Sequence, residues 1–243
     1  MNTESTKAVI VTGSTSGIGF AIASRLYAEG WRVTLNGYRT EKEGADLCAK
    51  MPGADYVDAD VSTSDGAAHL VKTAVASFGQ LDAVVNNAGV AWRIDHSDLD
   101  AVDDEFWDKI MAVNLKGPWN VAKAARPHLA RSSGQIINNA SLAGLTTTGS
   151  SIPYAVSKAG LVHLTHLLAK ALGPEIRVNA VAPGYIDTPL THEWQSVRDY
   201  VEDNAPARRL GDPEDVAEAV HGVMKMGYVS GAIIPVAGGL QVL

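Results

Sequence analysis

Tyr154 and Lys158 stand four positions apart in the stretch YAVSK, residues 154 to 158. Four residues are close to one helical turn, so a helix here projects the phenol and the ammonium from the same face. An unperturbed tyrosine has a pKa near 10, too high to exchange protons efficiently at neutral pH. Lowering it by about three units takes about 4 kcal/mol, and one ammonium at about 4 Å supplies that much at an effective dielectric near 20. The pair is therefore expected to act as a proton donor and acceptor, the lysine favouring the phenolate. Ser141 closes the apolar run that precedes this helix, where its hydroxyl can hold a substrate oxygen beside the phenol. Asn114, in VNLKG, offers an amide that can tie a water between itself and Lys158 and so lead protons to solvent.

A second group of residues has the chemistry of a phosphate cradle. VIVTGSTSGIGFAIASRL places Thr12, Gly13, Gly17, Ile18 and Gly19 where a buried strand turns into a helix. Glycines let the backbone approach a phosphate, and the free N–H groups of a helix start carry partial positive charge toward it. Ser14, Thr15 and Ser16 add hydroxyl donors. About 20 residues further on, where NAD-binding folds usually place a carboxylate for the ribose, the chain reads LNGYRT. It holds no carboxylate, and Arg39 can neutralise a 2'-phosphate, which tilts the reading toward NADP while leaving NAD open; a solvated loop cation is the other role for Arg39. Asp60, at the end of the third strand, can accept from an adenine amino group or cap the following turn.

These residues need a scaffold, and short β-branched runs alternate with helical segments along the whole chain. Strands are expected at 8–13, 31–37, 54–61, 83–89, 134–141, 177–184 and near IIPVAGG. Helices are expected near 17–29, 41–50, 64–78, 153–172 and 213–226, with a long one ending near Arg131 that carries Asn114. Most strands are apolar throughout, which predicts an α/β doubly wound fold: a seven-stranded parallel sheet, helices on both faces, right-handed crossovers. One Rossmann-type domain over residues 1–243 is expected, because no linker, repeat or low-complexity tract interrupts it. Residues 188–210, mixed polar with Trp and Pro, are expected to be irregular and to form a mobile flap.

Composition limits the function classes. A net charge of −7 without any Lys/Arg run argues against nucleic-acid or anionic-membrane surfaces, so small molecules are the expected partners. No apolar stretch approaches the roughly 18 residues of a membrane helix. A single cysteine, Cys48, and a start without an apolar signal core point to a cytoplasmic protein. His163 and His166 have a metal-like spacing, but no third ligand is evident, and packing is the expected role; no metal is expected.

TGSTSGIG, NNAG at 86–89, Asn114, Ser141, YAVSK and PGYIDT at 183–188 together resemble the short-chain dehydrogenase/reductase family in order and spacing, over essentially the whole chain. The resemblance implies an NAD(P)-dependent oxidoreductase passing hydride between nicotinamide and a small ketone or secondary alcohol. It implies Tyr154 as acid/base, Ser141 as binder of the carbonyl or alcohol, Lys158 as ribose ligand and modulator of Tyr154, and Asn114 as anchor of a water relay. Gly13, Ser16, Ile18, Asp60, Val61, Asn87, Ala88, Pro183, Ile186 and Thr188 would line the cofactor. LNG resembles NAD-dependent 3-hydroxybutyrate dehydrogenases, Arg39 resembles the phosphate-binding arginine of pteridine reductases, and Ser16 lacks the basic character of many NADP-preferring members. Ala237 stands where many relatives carry Asp. The family's pocket segments contribute Leu142, Ala143 and Thr147, then Trp92 and Arg93, then Leu190 and Trp194. They suggest a moderately apolar substrate, Arg93 admitting a carboxylated one; core or subunit packing is the other role for both tryptophans. A homotetramer, paired through the long helix and the Tyr154 helix, is implied. Two rival readings are a dinucleotide-sensing protein without turnover, which predicts loss of Tyr154 or Lys158, and a redox-neutral lyase or dehalogenase, which predicts a filled nicotinamide site.

Overall fold

The computed structural model describes residues 6–243. Seven strands form one parallel sheet: β1 (Ala8–Val11), β2 (Arg32–Gly37), β3 (Asp55–Asp58), β4 (Ala83–Asn86), β5 (Gln135–Asn139), β6 (Arg177–Pro183) and β7 (Ile233–Val236), in the order β3-β2-β1-β4-β5-β6-β7. β1, β4 and β5 are buried at every position, as a strand covered on both faces must be. The order reverses between β1 and β4, and the crevice at that reversal is where ligands bind in such sheets.

The helices are α1 (Gly17–Ala28), α2 (Glu41–Lys50), α3 (Ser64–Phe78), α4 (Asp104–Met111), α5 (Gly117–Ser132), α6 (Ile152–Leu172), α7 (Gln195–Asn204) and α8 (Pro213–Lys225). α1 and α8 cover one face of the sheet, where Ile22, Leu26, Val216 and Val220 meet Val9, Val11 and Val33. On the other face, Leu70, Val121, Leu129 and Leu168 meet Ile10, Val84 and Ile136. No helix among the described residues is long and apolar enough to cross a membrane.

Two elements depart from the expected pattern. The long helix is broken by a π-helical segment, Ala112–Lys116, between α4 and α5, and this wider turn carries Asn114. The stretch expected to be irregular contains α7. Its sequence QSVRDYVEDN buries only Val201, too little to form an apolar stripe. α7 is tied down instead by the ion pair of Arg198 Nη1 with Asp187 Oδ1 at 2.6 Å.

Candidate active site

The turn from β1 into α1 is fastened before any ligand is considered. Thr12 Oγ1 accepts from the N–H groups of Asn87 (2.9 Å) and Ala88 (3.0 Å), tying β1 to the end of β4. Asn87 Nδ2 donates to the carbonyls of Thr12 (3.0 Å) and Gly13 (2.9 Å). Asn36 Nδ2 donates to the carbonyls of Gly37, Val57 and Ala59, locking the ends of β2 and β3 together. Gly19 is packed so closely that a Cβ would stand 2.2 Å from the Gly13 carbonyl oxygen and 2.4 Å from Asn87 Nδ2. Only glycine brings α1 this near the strand end.

On the catalytic side, Ser141 follows β5 and opens a 3-10 turn, Leu142–Gly144, its Oγ accepting from Ala143 N at 3.1 Å. The same hydroxyl hydrogen-bonds the Tyr154 phenol. Lys158, one turn further along α6, is buried, donates from Nζ to the Asn139 carbonyl at 2.8 Å, and lies 5.7 Å from the Tyr154 ring centroid. The four-residue spacing thus does bring the two groups together.

Their electrostatics differ from the expectation. Burial pushes the Tyr154 phenol above its ordinary value, with the Ser141 hydrogen bond opposing it, so the predicted lowering is corrected in direction. Burial also pulls Lys158 down, to about 8. Withdrawal from water penalises phenolate and ammonium alike, and here it outweighs their attraction. With a pKa of about 8, Lys158 still carries its proton in roughly nine-tenths of molecules at pH 7.

Asn114 is buried and bonded to the backbone of Val90. Its Oδ1 accepts from Val90 N at 2.8 Å, and its Nδ2 donates to Val90 O at 2.9 Å and to Ser157 Oγ at 3.3 Å. These bonds fix Val90 to the π turn, and Oδ1 keeps a second lone pair for a further donor.

One cleft of about 460 Å³ joins the two sides. Of the predicted cofactor residues, Gly13, Ser16, Ile18, Asp60, Val61, Asn87, Ala88, Lys158, Pro183, Ile186 and Thr188 line it, together with Ser141 and Tyr154. Asp60 also caps its turn, Oδ1 accepting from Ser62 N at 2.9 Å and from Ser62 Oγ at 2.6 Å. Arg39 is exposed and stands outside the lining, stacked over the Tyr38 ring at 5.0 Å.

Trp92, Leu142, Ala143 and Trp194, expected to form a substrate pocket, do not line the cleft. Leu142 and Ala143 are buried in the turn after Ser141. Trp92 packs edge-on against Phe106 at 5.4 Å, and Trp194 leans on Tyr185 at 6.5 Å. Leu190, also expected in the pocket, does line the cleft, with Val90, Lys109, Val113, Pro189, Thr191 and Tyr38. Tyr38 directly follows a cradle strand; Lys109 and Val113 carried no local signal, because only the fold brings this helical region to the cleft.

The residues present fit a nicotinamide dinucleotide. The first turn of α1 holds no acidic side chain, and its N-cap, Ser16, spends no side-chain bond on the helix, so the N–H groups there are available to an anion. Asn139 Oδ1, buried beside Lys158, has no hydrogen-bond partner in the protein. Among the described residues, no cluster of three or more His, Cys, Asp or Glu side chains is placed to hold a metal; His163 lines an apolar groove between α4 and α6.

A family model described as enoyl-(acyl carrier protein) reductase matches residues 13–241. The chain assigned as ketoacyl reductase 2 of the granaticin polyketide synthase in Streptomyces violaceoruber is 48% identical over 96% of this chain and 96% of its own length. The 3-oxoacyl-(acyl-carrier-protein) reductase FabG of Thermotoga maritima is 35% identical over 97% of this chain and 98% of its own. A crystal structure of a Burkholderia xenovorans protein assigned as a short-chain dehydrogenase/reductase superposes with a TM-score of 0.90 at 34% identity, covering 99% of this chain and 100% of that one.

Proposed function

Since the chain belongs to the short-chain dehydrogenase/reductase family, an oxidoreductase family that uses nicotinamide dinucleotides, we propose that it reduces a ketone within an acyl chain, or a comparable small ketone, to the secondary alcohol with NADPH. The observation that carries this reading is Ser141, Tyr154 and Lys158 converging on the cleft that also receives the glycine turn. The similarity to ketoacyl reductases supports the ketone and the reductive direction.

Bound in this cleft, the dinucleotide supplies the hydride. Ser141 holds the substrate carbonyl oxygen by its hydroxyl, beside the phenol it already contacts. Tyr154 gives that oxygen its proton as the carbonyl carbon is reduced; its raised pKa keeps it protonated, and so armed as an acid, at neutral pH. Lys158, charged at pH 7, stabilises the phenolate that remains and holds the ribose. Asn114 keeps Val90 against the cleft. Leu190, Val90 and Val113 give the wall an apolar character suited to an aliphatic chain. Copies would pair through the groove of Met111, Leu115, Trp119, Leu164 and Leu167, where Trp119 and Leu167 are about half exposed, into the expected homotetramer.

The test is turnover with a panel of 3-oxoacyl thioesters and simple ketones, alongside fluorescence titration of NADPH. Tyr154→Phe is expected to bind NADPH normally and to lose at least about a hundredfold in kcat. Undiminished turnover in that variant refutes the assignment, and binding without turnover in the unaltered protein favours a sensing role.

A further inference from the structure

The chain reads NNA twice, at 86–88 and at 138–140, and β4 and β5 lie side by side with Asn86 opposite Asn138. The next asparagines, Asn87 and Asn139, meet in the cleft wall, where Asn139 Nδ2 donates to Asn87 Oδ1 at 2.8 Å. Asn139 is only 7% exposed. Its backbone carbonyl takes the Lys158 ammonium at 2.8 Å. One residue therefore joins the glycine turn, through Asn87, to the catalytic lysine.

Its neighbours dictate which way the Asn139 amide faces. Asn87 turns one end to two backbone carbonyls, those of Thr12 at 3.0 Å and Gly13 at 2.9 Å, so that end must be its NH2 group. Asn87 Oδ1 then faces Asn139 and demands a donor, which Nδ2 of Asn139 supplies. Asn139 Oδ1 is left as an acceptor without a partner in the protein. Six buried side-chain polar atoms among the described residues lack a partner, and this is the one whose residue lines the cleft. A buried acceptor left unpaired opposes folding, and a ligand that brings a donor relieves that cost.

We propose that Asn139 Oδ1 accepts a hydrogen bond from a hydroxyl of the ribose that carries the nicotinamide. The proposal rests on the dinucleotide reading of the cleft. With the pyrophosphate at the glycine turn and the nicotinamide beside Tyr154, that ribose lies between them, where Asn139 links Asn87 to Lys158. Phosphate oxygens and a substrate carbonyl only accept, so they do not pair with Oδ1, whereas a ribose hydroxyl donates. Lys158, which only donates, complements it: together the two residues fit hydroxyls that both give and take a hydrogen bond.

Titration calorimetry with NADPH, NADH, ADP-ribose and ADP tests it, since ADP-ribose keeps the second ribose without the nicotinamide and ADP lacks both. Asn139→Ala is expected to bind the preferred dinucleotide and ADP-ribose about tenfold more weakly, and ADP as the unaltered protein does. Its KM for the dinucleotide should rise by a similar factor with kcat within about threefold, because the backbone carbonyl that holds Lys158 remains. Asn139→Ser, whose side chain is shorter than the amide, carries the same test should the alanine variant fold poorly. Unchanged affinity for ADP-ribose overturns the proposal, and a loss confined to the intact dinucleotide would move the contact to the nicotinamide carboxamide. An equal loss for ADP also overturns it, by marking a structural role through Asn87 and the glycine turn. An unaltered protein that binds none of the four ligands sinks the dinucleotide reading itself.

Discussion

Between β1 and α1 the cleft wall is made of backbone. Gly13, Gly17 and Gly19 present N–H groups, and neutral Thr12, Asn36 and Asn87 side chains fasten them. Between β5 and α6 the wall is made of side chains, and two of the three, Tyr154 and Lys158, titrate with shifted pKa values. The first half works by shape and fixed dipoles, and its Thr12, Asn36 and Asn87 side chains are all hydrogen-bonded. The second half holds an ammonium out of water, which opposes folding and makes proton chemistry available. Substitutions in the two halves should therefore fail in different ways.

The largest effect is expected for Gly19→Ala. Its Cβ would meet the Gly13 carbonyl oxygen at 2.2 Å, so the turn must move. Dinucleotide affinity should fall at least about a hundredfold and stability by about 3 kcal/mol, equally at pH 6 and pH 9, because the groups disturbed do not titrate between those values. Titration and urea unfolding at both pH values check this, and an alanine variant that binds normally would break the contrast.

Lys158→Met should move stability the other way while abolishing turnover. The folded-state pKa of about 8 lies below the ordinary 10.5, so between those values the unfolded chain holds a proton that the native protein lacks. Stability of the unaltered protein should rise as pH climbs through that window, and the penalty should be fully present below about 8. Removing the charge should add up to about 3 kcal/mol at pH 7 and flatten this dependence. Chemical denaturation from pH 7 to 10.5 measures both; a destabilised variant would show that the ammonium is not strained by burial.

The smallest effect is expected at Trp92, which packs on Phe106 outside the cleft. Trp92→Ala should change kcat/KM for a small ketone by less than about threefold, with little change in stability. A tenfold loss would return this side chain to the substrate site.

What was legible came from local chemistry. The apolar strand runs, the glycine turn and the four-residue spacing of Tyr154 and Lys158 each declare themselves within a few residues, because backbone conformation and helical period act at that range. What was not legible depended on distant segments meeting. Nothing around Asn114 announces a π turn or an amide clamped to Val90, 24 residues away. α7 lacks an apolar stripe and is secured by an ion pair to Asp187. The tryptophans looked like pocket residues by type, yet Trp92 packs edge-on against Phe106 and Trp194 leans on Tyr185, and neither lines the cleft.

By itself, then, the order of residues determined the alternation of strands and helices, the cradle at the first turn and the pairing of Tyr154 with Lys158. Tertiary structure alone decided how those side chains titrate, which residues line the cleft, and what Asn114 holds. The physical reason is that periodicity and turn chemistry are properties of neighbours in the chain, whereas desolvation and contact belong to whichever groups the folded sheet brings to one place.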